Sequence, residues 1–187
     1  MYAPPTDPAL WQTWRTAARN PTLRADLAAV HQRIADAVET RKPRCDQSGR
    51  CCRFDAFGHD LYLTGLEITA FLQDLQHQHA PQAGPKRSAG PGIKPPSASP
   101  KQSTSNLPLP QLQTTQRTCP HQTHNTCSVH PIRPAGCRIF FCEPGTQAWQ
   151  QDLYEQSLND IRQIHTQHHL PYHYMEWLAG LAAAEAR

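Results

Sequence analysis

Apolar residues recur at helical spacing in several stretches of this chain. Asp7 or Thr6 can cap a first helix that carries Leu10, Trp11 and Trp14, and Asn20-Pro21 interrupts it. A second helix is predicted from about Thr22 to Thr40. Its apolar positions Leu23, Leu27, Val30, Ile34 and Val38 fall on one stripe, the mark of a helix with a single buried face. Leu61-Tyr62-Leu63 reads as a short strand. Thr64-Gly65-Leu66-Glu67 then forms a capping box, with Thr64 at N-cap and Glu67 at N3. The helix it opens carries Leu66, Ala70, Phe71 and Leu75 and ends near His79. A further helix is expected from about Thr146 to His169, with Trp149, Leu153, Leu158 and Ile161 inward. A last one starts at Pro171 and carries Tyr174, Trp177, Leu178 and Leu181. The expected fold is mostly α: one domain over 1–187, with a helical N-terminal arm at 1–40 and C-terminal helices at 146–187.

Between the third and fourth helical patterns the periodicity stops. Residues 80–118 hold Pro81, Pro85, Pro91, Pro95, Pro96, Pro100, Pro108 and Pro110 among Gly, Ser, Gln and Lys. Such a stretch cannot bury enough apolar surface to offset its chain entropy, so it reads as a disordered insertion. It also contains Lys86, Arg87, Lys94, Lys101 and Arg117, and no Asp or Glu occurs between Asp74 and Glu143. A basic tether could touch nucleic acid, but a solvated linker is the plainer expectation.

Composition changes the picture in one respect. Of 187 residues, 38% are hydrophobic, 18% are charged and 18 are proline, which leaves a small core for the chain length. Metal is a natural reinforcement for such a core. The formal charge of +3 argues no case for nucleic acid by itself. The N-terminus MYAPPTDPALWQTW has no basic segment followed by an apolar one, and no apolar run approaches the about 20 residues that span a bilayer. The expectation is a cytoplasmic protein with no membrane partner, where seven cysteines would not pair as disulfides.

Those cysteines carry the chemistry. Cys45, Cys51 and Cys52 lie in one short loop; Cys119, Cys127, Cys137 and Cys142 lie in another. None sits on a helical stripe, where cysteines serving as small core residues would be expected. Thiolates are soft ligands that suit zinc or iron-sulfur centres, and loops let short segments converge on a metal. Consecutive side chains usually diverge, so vicinal Cys51 and Cys52 are expected to serve two sites or to bridge two metals. A metal held by four thiolates is anionic, and nearby cations favour the thiolate form. Arg41, Lys42, Arg44, Arg50 and Arg53 crowd the first loop against Asp46, and Arg133 and Arg138 flank Cys137.

Cys45-x2-Ser48-Gly49-x-Cys51-Cys52-Arg53 resembles the CxxCxxCC signature of the YkgJ-like cysteine-cluster family, described as zinc- or iron-chelating proteins. Leu63-Thr64-x2-Glu67-Ile68 is similar to the segment that follows that cluster. Cys119-Pro120, Cys127-Ser128-Val129-His130, Arg133-Pro134-x2-Cys137-Arg138 and Cys142 are similar to the family's second half. The resemblance covers about residues 45–142 without the insertion. It implies a zinc or iron site, the latter in mononuclear or iron-sulfur form, with all seven cysteines as ligands. One position departs: Ser48 stands where the family has a cysteine. That substitution could weaken the cluster, leave a metal with an open position, or be made good by His59, His121, His124 or His130. For each of these histidines a surface or hydrogen-bonding role is the more ordinary expectation. His165, His168, His169 and His173 form a second group, expected at an exposed polar helix end.

Two classes of function stay open. One is a metal-binding module whose role is metal handling or a protein partner that the sequence does not identify. The other is a metal-dependent, iron-sulfur redox or methylase-related enzyme, since flagellin lysine methylases are said to carry a similar cysteine motif. No Gly-rich cofactor loop, no Ser-His-Asp arrangement and no obvious carboxylate base supports the second, and the metal-binding module is the expectation carried forward.

Overall fold

The computed structural model describes residues 2–46, 48–79 and 117–186. They belong to one compact unit, Met1–His79 together with Gln116–Arg187. The insertion predicted over 80–118 lies outside the described residues except for its last two positions.

Asp7 caps α1 (Pro8–Ala17), its carboxylate accepting from the Ala9 N–H at 2.9 Å. Asn20 caps α2 (Pro21–Arg41) by accepting from Thr22 N and Leu23 N. Each helix has proline in its first turn, where no intrahelical donor is lost. The predicted α2 stripe is the buried face: Leu23, Leu27, Val30 and Ile34 are buried and Val38 is partly so. The capping box is also present. Thr64 Oγ1 accepts from Glu67 N at 3.2 Å, and Glu67 Oε2 accepts from Thr64 N at 3.0 Å, opening α4 (Gly65–His79).

A four-residue helix, α3 (Phe54–Phe57), precedes β1 (Tyr62–Thr64). After the insertion come the hairpin strands β2 (Gln122–Thr123) and β3 (Thr126–Cys127), and α5 (Ala135–Ile139). Then follow α6 (Gln147–Gln167), β4 (Tyr174–Glu176) and α7 (Trp177–Glu185). β1 pairs with β4 antiparallel, Leu63 opposite Met175. Here the structure corrects the expectation of one continuous helix from Pro171. Tyr174 to Glu176 are extended because they complete β1, and the helix begins at Trp177, capped by the Glu176 carboxylate.

α2 packs on α5 and α6, α1 on α4, and α4 on α7. Trp11, Trp14, Leu63, Leu66, Ile68, Met175 and Trp177 are essentially without exposure at the centre. Trp14 donates its indole N–H to Pro171 O at 2.9 Å, and its ring lies so close over Gly65 that any Cβ there would collide with it. His165 corrects another expectation. It is 2% exposed on the inner face of α6, its Nδ1 at 3.0 Å from Pro171 O, whereas His168 pairs with Asp26 and His169 is exposed. The local pattern pointed to a solvated helix end, but the Pro171 turn folds back over it.

Candidate metal centre

The two cysteine loops are stitched together through their backbones. Cys119 N donates to Cys52 O at 2.7 Å, Phe54 N donates to Arg117 O at 2.9 Å, and Arg53 bridges to Thr118. Gly49 makes this approach possible. Its φ of 67° is left-handed, and a Cβ there would collide with the Gln122 amide and the Asn125 carbonyl of the β2–β3 hairpin. The Gln122 amide instead donates to Gly49 O at 2.9 Å. Arg117 ties the base of the second loop to Asp60 and Glu176, at 2.7 and 3.0 Å.

All seven cysteines are free thiols. Cys51 and Cys52 lie on the 3-10 turn Arg50–Cys52, with Sγ atoms 3.9 Å apart. The tight turn brings together side chains expected to diverge. Cys137 lies on α5 and not in a loop. Cys52 is a hub: Cys51, Cys119 and Cys127 each interact with its thiol. The one Cys52 S–H is within reach of all three, and whichever of Cys51, Cys119 and Cys127 accepts it is held below the ordinary thiol value, against the opposing effect of burial. Cys52 itself is pushed up, first by its place as donor to Cys119. Arg133 favours the thiolates of Cys51 and Cys127. Cys137 is close enough to feel Cys119, Cys51 and Cys127, and burial raises its pKa although the residue keeps some exposure.

Two cysteines stand apart from the hub. Cys142 Sγ lies 3.7 Å from Ser48 Oγ, and Cys45 is exposed. Both line a cleft of about 630 Å³ whose wall also holds Cys51, Cys127, Arg133 and Arg138. His31 and His130 face the same cleft. His31 is lowered to about 4 by burial and then by Arg138, and His130 is lowered by burial and then by Arg133. His31 escaped the sequence reading because it sits on a helix whose pattern is otherwise fully explained by packing. His124 is exposed on the hairpin turn, with φ 49°.

The donor chemistry fits a soft cation. Cys52 has one S–H and donates to one neighbour at a time, so it cannot satisfy three thiolates at once, whereas a divalent metal can. Trp177 Nε1 is buried with no conventional hydrogen-bond partner among the described residues, and lies where it favours the Cys119 thiolate. As the thiols stand, however, no three Cys, His, Asp or Glu side chains among the described residues surround a common point at ligand distance. No protein-family model matches the chain, and no curated protein or solved structure matches it.

Proposed function

We propose that this is a metal-binding cysteine-cluster protein that holds zinc or iron, the latter as single ions or as an iron-sulfur centre, through its cysteine thiolates. The observation that carries the reading is the hub at Cys52, where thiols from two loops far apart in sequence meet, with Arg133 favouring the thiolates of Cys51 and Cys127. Unmetallated, such a cluster sets like charges against one another as its protons leave; a cation removes that conflict. The motif resemblance to the cysteine-cluster family supports the same reading. No helix among the described residues is long and apolar enough to cross a membrane, and a reducing, cytoplasmic setting suits seven free thiols.

A second reading, a metal-dependent or iron-sulfur enzyme, is favoured by the cleft that exposes Cys51 beside Cys127. A metal there would have an accessible side. The test is anaerobic purification followed by elemental analysis and an absorption spectrum. Stoichiometric zinc, or iron with thiolate-to-iron charge-transfer bands, is expected. Protein that stays folded yet binds neither metal on reconstitution would sink both readings.

A further inference from the structure

His59 follows α3 directly. Gly58 ends that helix in the left-handed conformation (φ 62°), and His59 N donates to Phe54 O at 3.2 Å, which turns the imidazole inward. The ring stacks on Phe140, with centroids 4.9 Å apart and planes at 21°, and meets the edge of Phe54 at 5.3 Å. Both ring nitrogens are buried and have no hydrogen-bond partner among the described residues. An imidazole always presents at least one N–H, and when neutral one lone pair, so leaving both nitrogens unmet is unfavourable.

The ring borders a cavity of about 350 Å³, and Cys51 and Cys137 line that same cavity. The other polar side chains there are already engaged. Asp60 pairs with Arg117, Tyr154 Oη meets Tyr62 O and Tyr174 Oη, and Gln150 spans the Phe141 backbone with both amide atoms. His59 is thus an imidazole without a hydrogen-bond partner among the described residues, lining the same cavity as two thiols. Cys51 stands between this cavity and the hub, which leaves Cys52, Cys119 and Cys127 on the hub side.

We propose that His59, Cys51 and Cys137 form a second metal position, distinct from the hub, which takes a soft divalent transition metal and leaves its fourth coordination place open to the cavity. The proposal rests on the metal-binding reading above and divides its ligands into two sets. Loading draws the three side chains together by rotamer change, since they do not converge as they stand. Two thiolates and a neutral imidazole are a donor set that suits zinc or cobalt, and three protein ligands with one vacancy let a small molecule or water bind. The division also gives the vicinal pair separate tasks, Cys51 in one set and Cys52 in the other.

The test is cobalt(II) and zinc(II) loading of the full chain under anaerobic, reducing conditions. Metal per chain, the cobalt d–d and charge-transfer bands, and the metal-edge X-ray absorption are measured. Two metals per chain and an imidazole contribution to the absorption fine structure are expected for the natural sequence. His59→Ala should lose one metal, and His59→Cys should regain it with nitrogen replaced by sulfur. Cys52→Ser should lose the other metal and keep the imidazole signature. If His59→Ala fails to fold, the imidazole signature in the natural protein and its loss in His59→Cys decide. One metal with sulfur-only coordination, or unchanged loading and spectra in His59→Ala, overturns the proposal while metal binding stands. No metal at all overturns metal binding itself.

Discussion

Two arginines of the helical scaffold and four beside the cysteines face different partners. On the scaffold, Arg24 meets Asp74 and Arg33 meets Asp160 at 2.7 Å. Around the cysteines, Arg133 donates to the carbonyls of His130 and Cys137, and Arg138 to those of Arg133 and Pro131. Arg50 and Arg53 both lie 5.0 Å from the Phe57 ring, and the buried Arg53 Nε has no partner among the described residues. No carboxylate pairs with any of these four among the described residues. The two scaffold arginines are matched by carboxylates. The four beside the cysteines gather positive charge about a set of thiols; on the metal-binding reading proposed above, the balancing anion would be the thiolate cluster that a metal holds ionised. The scaffold should therefore fold on its own packing, and the loops should owe their order to what they bind.

The largest effect that tests this division comes from the scaffold. Trp14→Ala removes a fully buried ring and its bond to Pro171 O. Denaturant unfolding should show a loss of about 3–5 kcal/mol. Metal per folded molecule should stay as in the natural protein. If the folded fraction also loses its metal, packing and site form one unit and the comparison breaks.

The next effect comes from the hub. Cys52→Ser should abolish hub metal, and its destabilisation should vanish when both proteins are compared in excess chelator. Hydrogen exchange gives the same answer by another route. Chelation should speed exchange at residues 48–53 and 117–142 and leave the α2 and α6 interiors protected. Uniform acceleration would contradict the division.

A smaller effect lies at the seam between the regions, at Glu67. This carboxyl is 5% exposed, and burial pushes its pKa up to about 7, against the pull of the Thr64 N–H and hydroxyl. The folded state then holds a proton that the unfolded chain releases near 4.5. Its stabilising contribution is complete below about 4.5, falls as pH rises, and is gone above about 7. The slope is at most about 1.4 kcal/mol per pH unit. Glu67→Gln keeps an acceptor for the cap and should flatten that part of the stability–pH curve. An unchanged curve would mean that Glu67 is ionised when folded.

What the sequence disclosed follows the same line. The N-caps at Asp7 and Asn20, the α2 stripe and the Thr64–Glu67 box were legible because each is made within a few residues of chain. The pairing of β1 with β4 was not, since Tyr62 and Glu176 meet only through the tertiary fold. The burial of His165 depends on the turn at Pro171, and the hidden place of His59 depends on Phe140. The cysteine spacings showed that two loops bear thiols. They could not show that Cys52 would be the hub, or that Cys45 and Cys142 would stand apart at the cleft.

Ser48 gives the smallest and most local test. Its hydroxyl lies 3.7 Å from Cys142 Sγ, in the cleft that also holds Cys45. The motif resemblance places a cysteine at this position, and serine is a weak ligand beside thiolate. Ser48→Cys changes little in size and puts a thiol opposite Cys142. If the cleft cysteines take part in metal binding, the variant gains a donor there. Metal should then survive chelator challenge better, by about tenfold in affinity, the lower end of what altering a site's surroundings does. X-ray absorption should count more sulfur neighbours. The assay must run under reductant, because a thiol pair this close needs only a modest approach to reach disulfide distance, about 2.05 Å. A disulfide would remove Cys142 instead of adding a ligand. If the reduced variant binds no more tightly and gains no sulfur contact, Ser48 and Cys142 belong to the cleft wall alone. The ligands would then narrow to the hub and to the cysteines nearest it, and the family pattern would not carry over at this position.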